Sequence, residues 1–122
     1  MVLYLQKNTP LAYNFSMYTI VETPTFQRCA ADVWNEAELM EFKLYLAGNP
    51  LAGDVIPGAG GLRKVRWSRA GIGKRGGARV VYFNQLADGT IALLMVYTKA
   101  KFDNLPTAFL LQLKQELENG QS

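Results

Sequence analysis

Two runs rich in β-branched and aromatic residues, ARVVYFNQL at 78–86 and IALLMVYT at 91–98, flank the dipeptide Asp88-Gly89. A glycine behind an aspartate supplies the backbone freedom a tight hairpin turn demands, so the two runs are expected to pair as antiparallel strands. A third run, LRKVRW at 62–67, precedes them across a glycine-rich basic connection, SRAGIGKRGG at 68–77. Consecutive strands joined by short turns make an antiparallel meander, and the rest of the chain must pack on it. Alternation sets Leu62, Lys64 and Arg66 on one side of the first strand, and Arg63, Val65 and Trp67 on the other. In the second strand Arg79, Val81 and Phe83 share a face, with Val80, Tyr82 and Asn84 opposite.

The flanking sequence supplies helices and one more strand. Met17-Tyr18-Thr19-Ile20-Val21 is a strand candidate. Thr23-Pro24 is a helix start, a capping hydroxyl followed by a residue pre-set for the first turn. Phe26, Cys29, Ala30 and Val33 then recur at helical spacing. A second helix is expected from Asn35, with Glu38 completing a capping box and Leu39, Phe42 and Leu46 on its inner face; Gly48-Asn49-Pro50 ends it. Two helices joined this closely predict a helical hairpin. LAGDVIPGAGG at 51–61 reads as a loop, and Leu110, Leu113 and Leu117 make the inner stripe of a helix that begins near Pro106 and stops at Gly120. The expected fold class is α+β: a small antiparallel sheet, an N-terminal helical hairpin on one face and a C-terminal helix. Residues 17–119 form the domain, 1–16 are either an N-terminal extension or an additional strand or arm, and 120–122 are a tail.

Charge is distributed unevenly along this frame. Between residues 61 and 101 stand Arg63, Lys64, Arg66, Arg69, Lys74, Arg75, Arg79, Lys99 and Lys101, against the single acid Asp88. The rest of the chain is net acidic, although the whole carries only +3. Cations gathered on one sheet repel one another unless a polyanion occupies the site. Trp67, Tyr82, Phe83 and Tyr97 interleave with them and offer rings for stacking on splayed bases, though Trp67 and Tyr82 are also the first choices for core.

Several chemistries drop out. The 122 residues contain no histidine and one cysteine, which removes Ser-His and Cys-His triads and nearly all zinc sites. Cys29 falls on an apolar helix face and reads as a buried small hydrophobe. The Gly-Lys pair in 68–77 fails as a phosphate loop: Ser68 stands where the first glycine belongs, Arg75 where a magnesium-holding hydroxyl belongs, and no helix follows. The spacing of Gly71, Gly73 and Gly76 fails as a dinucleotide fingerprint, because it joins two strands. No metal or cofactor is expected. No run approaches the ~20 apolar residues of a membrane span, no secretory signal is evident, and an unpaired cysteine fits a reducing, cytoplasmic setting.

The ordered strings NPLAGDVIPGAGGLRKVRW, GKRGGARVVYF and LLMVYTKAK, preceded by Glu22-Thr23-Pro24-Thr25-Phe26, resemble the RelE/ParE superfamily of toxins, in particular the HigB-like branch of type II toxin–antitoxin systems. The resemblance spans roughly residues 17–118. It implies a RelE-like fold and a ribosome-dependent endoribonuclease that enters the ribosomal A site and cuts mRNA. It also implies a cognate helix-turn-helix antitoxin, operator DNA reached only through that antitoxin, and no membrane partner. Lys64 and Arg66 match the paired basic residues of the family's second strand, Arg79 the arginine that meets the scissile phosphate, and Lys99 with Lys101 the basic cluster after the last strand. Some relatives carry a catalytic tyrosine on the C-terminal helix; 105–117 contain none, so Tyr97 or Tyr82 is left for that role.

The expected catalytic set is therefore Lys64, Arg66, Arg79, Lys99 and Tyr97, with Arg63, Arg69, Lys74, Arg75, Lys101 and Tyr82 as RNA contacts. Metal-free transesterification needs a group to take the 2′-OH proton and cations to offset the phosphorane charge; Arg66 and Arg79 suit only the second task, since Arg does not readily lose its proton, and Lys64 is the expected base or acid partner. Two alternatives stay open: a ParE-like, non-catalytic inhibitor of DNA gyrase, and a nucleic-acid-binding module whose charge serves only backbone contacts.

Overall fold

The computed structural model describes residues 17–68, 77–98 and 105–119. A five-stranded sheet runs in the order β1-β5-β4-β3-β2, built from β1 (Thr19–Glu22), β2 (Asp54–Val55), β3 (Arg63–Trp67), β4 (Ala78–Gln85) and β5 (Thr90–Thr98). The three central strands are the expected meander. The expected fully antiparallel sheet needs correction, because β1 pairs with β5 in parallel. Its chain crosses from one sheet edge to the other through two helices before returning as β2, and such a crossover permits parallel pairing. A second correction concerns 51–61: within that expected loop, Asp54 and Val55 pair with Lys64 and Arg63. The turn around Asp88-Gly89 is a short 3₁₀ segment, Leu86–Asp88, closed by Gly89 at φ 76°.

The helix starts form as the capping residues dictate. Thr23 accepts a hydrogen bond from the Phe26 amide at the head of α1 (Pro24–Val33). The Thr23 hydroxyl also donates to the Leu93 carbonyl at 2.9 Å, which locks the helix to the central sheet. Asn35 and Glu38 form the reciprocal capping box of α2 (Glu36–Gly48). Both helices bury their apolar residues on one face of the sheet. Phe26 and Ala30 of α1, and Phe42, Leu46 and Ala47 of α2, join Val65, Val80, Tyr82, Ile91, Leu93 and Val96 in one core. Between α2 and β1, the half-buried ion pair Lys43–Glu22 closes at 2.5 Å.

The other sheet face carries a second core. Leu110 and Leu113 of α3 (Thr107–Glu118) pack there with Ala59, Leu62, Val81, Ala92 and Leu94. Lys114 lies 5.1 Å from the Phe83 ring centre.

One irregularity decides how the site is built. Val81 pairs with Met95, yet the next residue, Tyr82, pairs with Leu93, so Leu94 is an extra residue in β5. A bulge of this kind reverses the alternation beyond it. Before it, Ile91 and Leu93 face α1 and α2; after it, Val96 faces them, while Met95 and Tyr97 face the α3 side.

Candidate functional site

Lys64, Arg66, Arg79 and Tyr97 share the α3 side of the sheet. The register sets Arg66 against Arg79 and Arg79 against Tyr97, one row across β3, β4 and β5. Directly opposed residues on adjacent strands hold their Cβ atoms roughly 4.5–5.5 Å apart. Lys64 stands in the next row, opposite Val81 on β4 and Asp54 on β2. Like charges directly opposite each other destabilise a sheet, so the Arg66–Arg79 pair is an arrangement that folding alone does not favour.

Arg79 is the most telling member. It is only 8% exposed, and its guanidinium donates to the Gly77 carbonyl across a long 3.3 Å. The ion pairs among the described residues are Lys43–Glu22 and Lys114–Glu118, and neither reaches this row. A buried guanidinium with no carboxylate is costly in a folded protein, and an anion from outside would remove that cost. Tyr97, 3% exposed, has its hydroxyl held protonated above the ordinary tyrosine value. Burial raises its pKa, and the Arg79 charge offsets part of that rise. At neutral pH Tyr97 is therefore a hydrogen-bond and proton donor, not a base.

The row opens into a cleft at each end. Beside Tyr97 lies a cleft of about 450 Å³ lined by Arg28, Cys29, Asp32, Met95 and Thr98. Beside Arg66 and Lys64 lies another of about 520 Å³, lined also by Tyr45, Asp54, Ile56 and Pro57. Two clefts flanking a cationic row can take units on either side of a phosphodiester. Among the described residues no group of three or more His, Cys, Asp or Glu could hold a metal ion, and no helix is long and apolar enough to cross a membrane.

Other expected site residues fall elsewhere. Tyr82 is fully buried on the side of α1 and α2. Its hydroxyl donates to the Pro50 carbonyl at 2.8 Å and accepts from the Gly53 amide at 2.9 Å. It cannot stack on a base there, and the expectation of an RNA contact gives way to a structural role: it ties the turn before β2 to the sheet. Arg63 points to the same side, opposite Tyr82, and donates to the Gly53 carbonyl at 2.6 Å. It stands apart from the Lys64, Arg66 and Arg79 group, because neighbouring residues in a strand face opposite ways. Arg69, Lys74, Arg75, Lys99 and Lys101 lie outside the described residues, as do 1–16 and Gly120.

Sequence reasoning passed over Asp54 and Arg28. Asp54 sits inside a stretch with loop composition, and a two-residue strand leaves no periodic signal. Arg28 is an exposed residue of a short helix, where a cation is ordinary.

No family model matches the sequence. Among solved structures, the toxin–antitoxin complex RelBE2 from Mycobacterium tuberculosis is similar with a TM-score of 0.55 at 22% identity, over 67% of this chain and 98% of that one. A mutant of the E. coli toxin RelE in the free state is similar with a TM-score of 0.51 at 11% identity, over 80% and 97%. The described three-helix, mixed-sheet architecture is therefore the RelE toxin fold.

Proposed function

We propose that this chain is the toxin of a type II toxin–antitoxin system, a ribosome-dependent endoribonuclease that cuts mRNA without a metal. The observation that carries the reading is the buried Arg79, without a carboxylate partner among the described residues, opposed on one side by Arg66 and on the other by Tyr97. The fold of the two RelE neighbours supports it, and one of them is a complex with an antitoxin. The same likeness supports a cognate antitoxin as partner, and the cytoplasm is proposed as the place of action.

In this mechanism the scissile phosphate lies over the Arg66–Arg79 pair. The ribose 2′-OH gives its proton to the neutral amine form of Lys64, the O2′–P bond forms, and the P–O5′ bond breaks. The products are a 2′,3′-cyclic phosphate and a 5′-hydroxyl. Arg66 and Arg79 offset the charge of the phosphorane, which a fixed cation in a low-dielectric site does strongly. Tyr97, protonated, gives its proton to the departing 5′-oxygen, which leaves as the 5′-hydroxyl.

The test is cleavage of a defined mRNA in a translation extract by wild type and Arg79→Ala. The variant should keep its fold and lose at least roughly a hundredfold in cutting, as removal of one charge-stabilising donor does elsewhere. Unchanged cutting would refute the assignment. A DNA-damage response without any cut mRNA would identify a gyrase inhibitor instead.

A further inference from the structure

The cleft beside Arg66 contains a group that a phosphate grip does not need. Asp54 is exposed and lies on β2 directly opposite Lys64, on the cationic side of the sheet. A carboxylate there repels phosphate. It does not serve to neutralise Lys64 either, since no ion pair joins them among the described residues. An ionised carboxylate only accepts hydrogen bonds, so its counterpart in a ligand must be a donor edge.

The surroundings fit a nucleobase. The cleft holds about 520 Å³ and is walled by the Tyr45 ring and by Ile56 and Pro57. Tyr45 is itself set against Trp67, ring centres 4.8 Å apart, so the ring is braced. The Ile56 amide donates to the Leu62 carbonyl. By the alternation of an antiparallel ladder, the Arg66 backbone then faces outward where β2 has already ended. Asp54 lies one ladder row, two residues or about 7 Å along the strand, from the Arg66–Arg79 row. That offset matches a nucleotide whose phosphate rests on the arginines and whose base reaches Asp54.

We infer that this cleft is a base-reading subsite, in which Asp54 accepts from the Watson–Crick edge of a guanine next to the scissile phosphate. Guanine alone among the four bases presents two adjacent N–H donors, N1 and N2, to match two carboxylate oxygens. Adenine and cytosine set a ring acceptor beside their amino group, and uracil flanks its one N–H with carbonyls. The inference deepens the nuclease reading and rests on it for the placement of the phosphate.

The experiment measures binding rather than cutting, so the two readings fail separately. Guanosine, adenosine, cytidine and uridine 3′-monophosphates are titrated into wild type, Asp54→Asn and Arg66→Ala, with thermal melts to verify folding. Wild type should bind the guanosine nucleotide roughly tenfold more tightly than the others, as expected for hydrogen bonds to a charged group. Asp54→Asn should bring that ratio below about threefold. Arg66→Ala should weaken all four together and keep the ratio. Equal binding of the four by wild type, no saturable binding, or an unchanged ratio in Asp54→Asn overturns the subsite. Guanine preference in a protein that cuts no mRNA would overturn the nuclease alone.

Discussion

Replacing Arg79 by methionine should make this protein more stable while abolishing its activity. Arg79 is 8% exposed, with one long hydrogen bond to Gly77 and no carboxylate partner among the described residues. An ion taken out of water carries an effective penalty of several kcal/mol, and exchange of buried charge for apolar volume is often stabilising by about 1–4 kcal/mol. That range already includes loss of the hydrogen bonds of the charged group, here the single guanidinium bond to Gly77, weak at 3.3 Å. A gain of about 1–4 kcal/mol follows, and a domain of this size shifts its Tm by roughly 3–6 °C for each kcal/mol. Urea unfolding at low ionic strength, followed by circular dichroism, measures it. Adding inorganic phosphate supplies the second arm, because a ligand at a hundred times its Kd stabilises by about 2.7 kcal/mol. Phosphate should stabilise wild type and leave Arg79→Met nearly unmoved. Loss of more than about 1 kcal/mol in Arg79→Met, or equal phosphate stabilisation of both, would refute the view that Arg79 is held for an anion.

Other expectations concern the frame around the site. Tyr82→Phe leaves the buried Gly53 amide without its acceptor, whereas Pro50 keeps its bond from Asn84 at 2.9 Å. Equilibrium unfolding should show a loss of about 1–2 kcal/mol, with cutting per folded molecule retained. Gly53→Ala would bring a Cβ within 2.8 Å of the Lys64 carbonyl oxygen and 2.9 Å of the Tyr82 ring; a loss of about 1–3 kcal/mol is expected in the same assay. Tyr82 and Tyr97 are both held above the ordinary value of 10.0, chiefly by burial. Above pH 10 the unfolded chain therefore binds fewer protons than the folded one, and stability falls as pH rises. Stability measured from pH 8 to 11 should decline from near pH 10, less steeply in Tyr97→Phe.

The sequence announced the helix starts and the meander because they rest on local chemistry. Thr23-Pro24 and Asn35 with Glu38 are capping patterns that work through their own neighbours, and Lys64, Arg66 and Arg79 follow plain strand alternation. The face of Tyr97 was not legible. Counting by twos from Ile91 puts it with the core under α1 and α2, and only the extra residue at Leu94 turns it towards Arg79. That bulge falls where Thr23 ends β1 and bonds the Leu93 carbonyl, a contact between residues seventy positions apart. Nor was β2 legible, since its two residues pair only because Tyr82 and Arg63 hold the preceding turn against the sheet.

If the Arg66–Arg79–Tyr97 row breaks mRNA during translation, as proposed, the ends of the fragments carry the signature of the cut. Purified protein is added to a translation extract and to the same mRNA without ribosomes, and both fragment ends are mapped and chemically typed. Cuts are expected in phase with codons, only where ribosomes translate, leaving 2′,3′-cyclic phosphates and 5′-hydroxyls. Intact mRNA in the translating extract, or 5′-phosphate ends that persist in Arg79→Ala, would contradict the proposal.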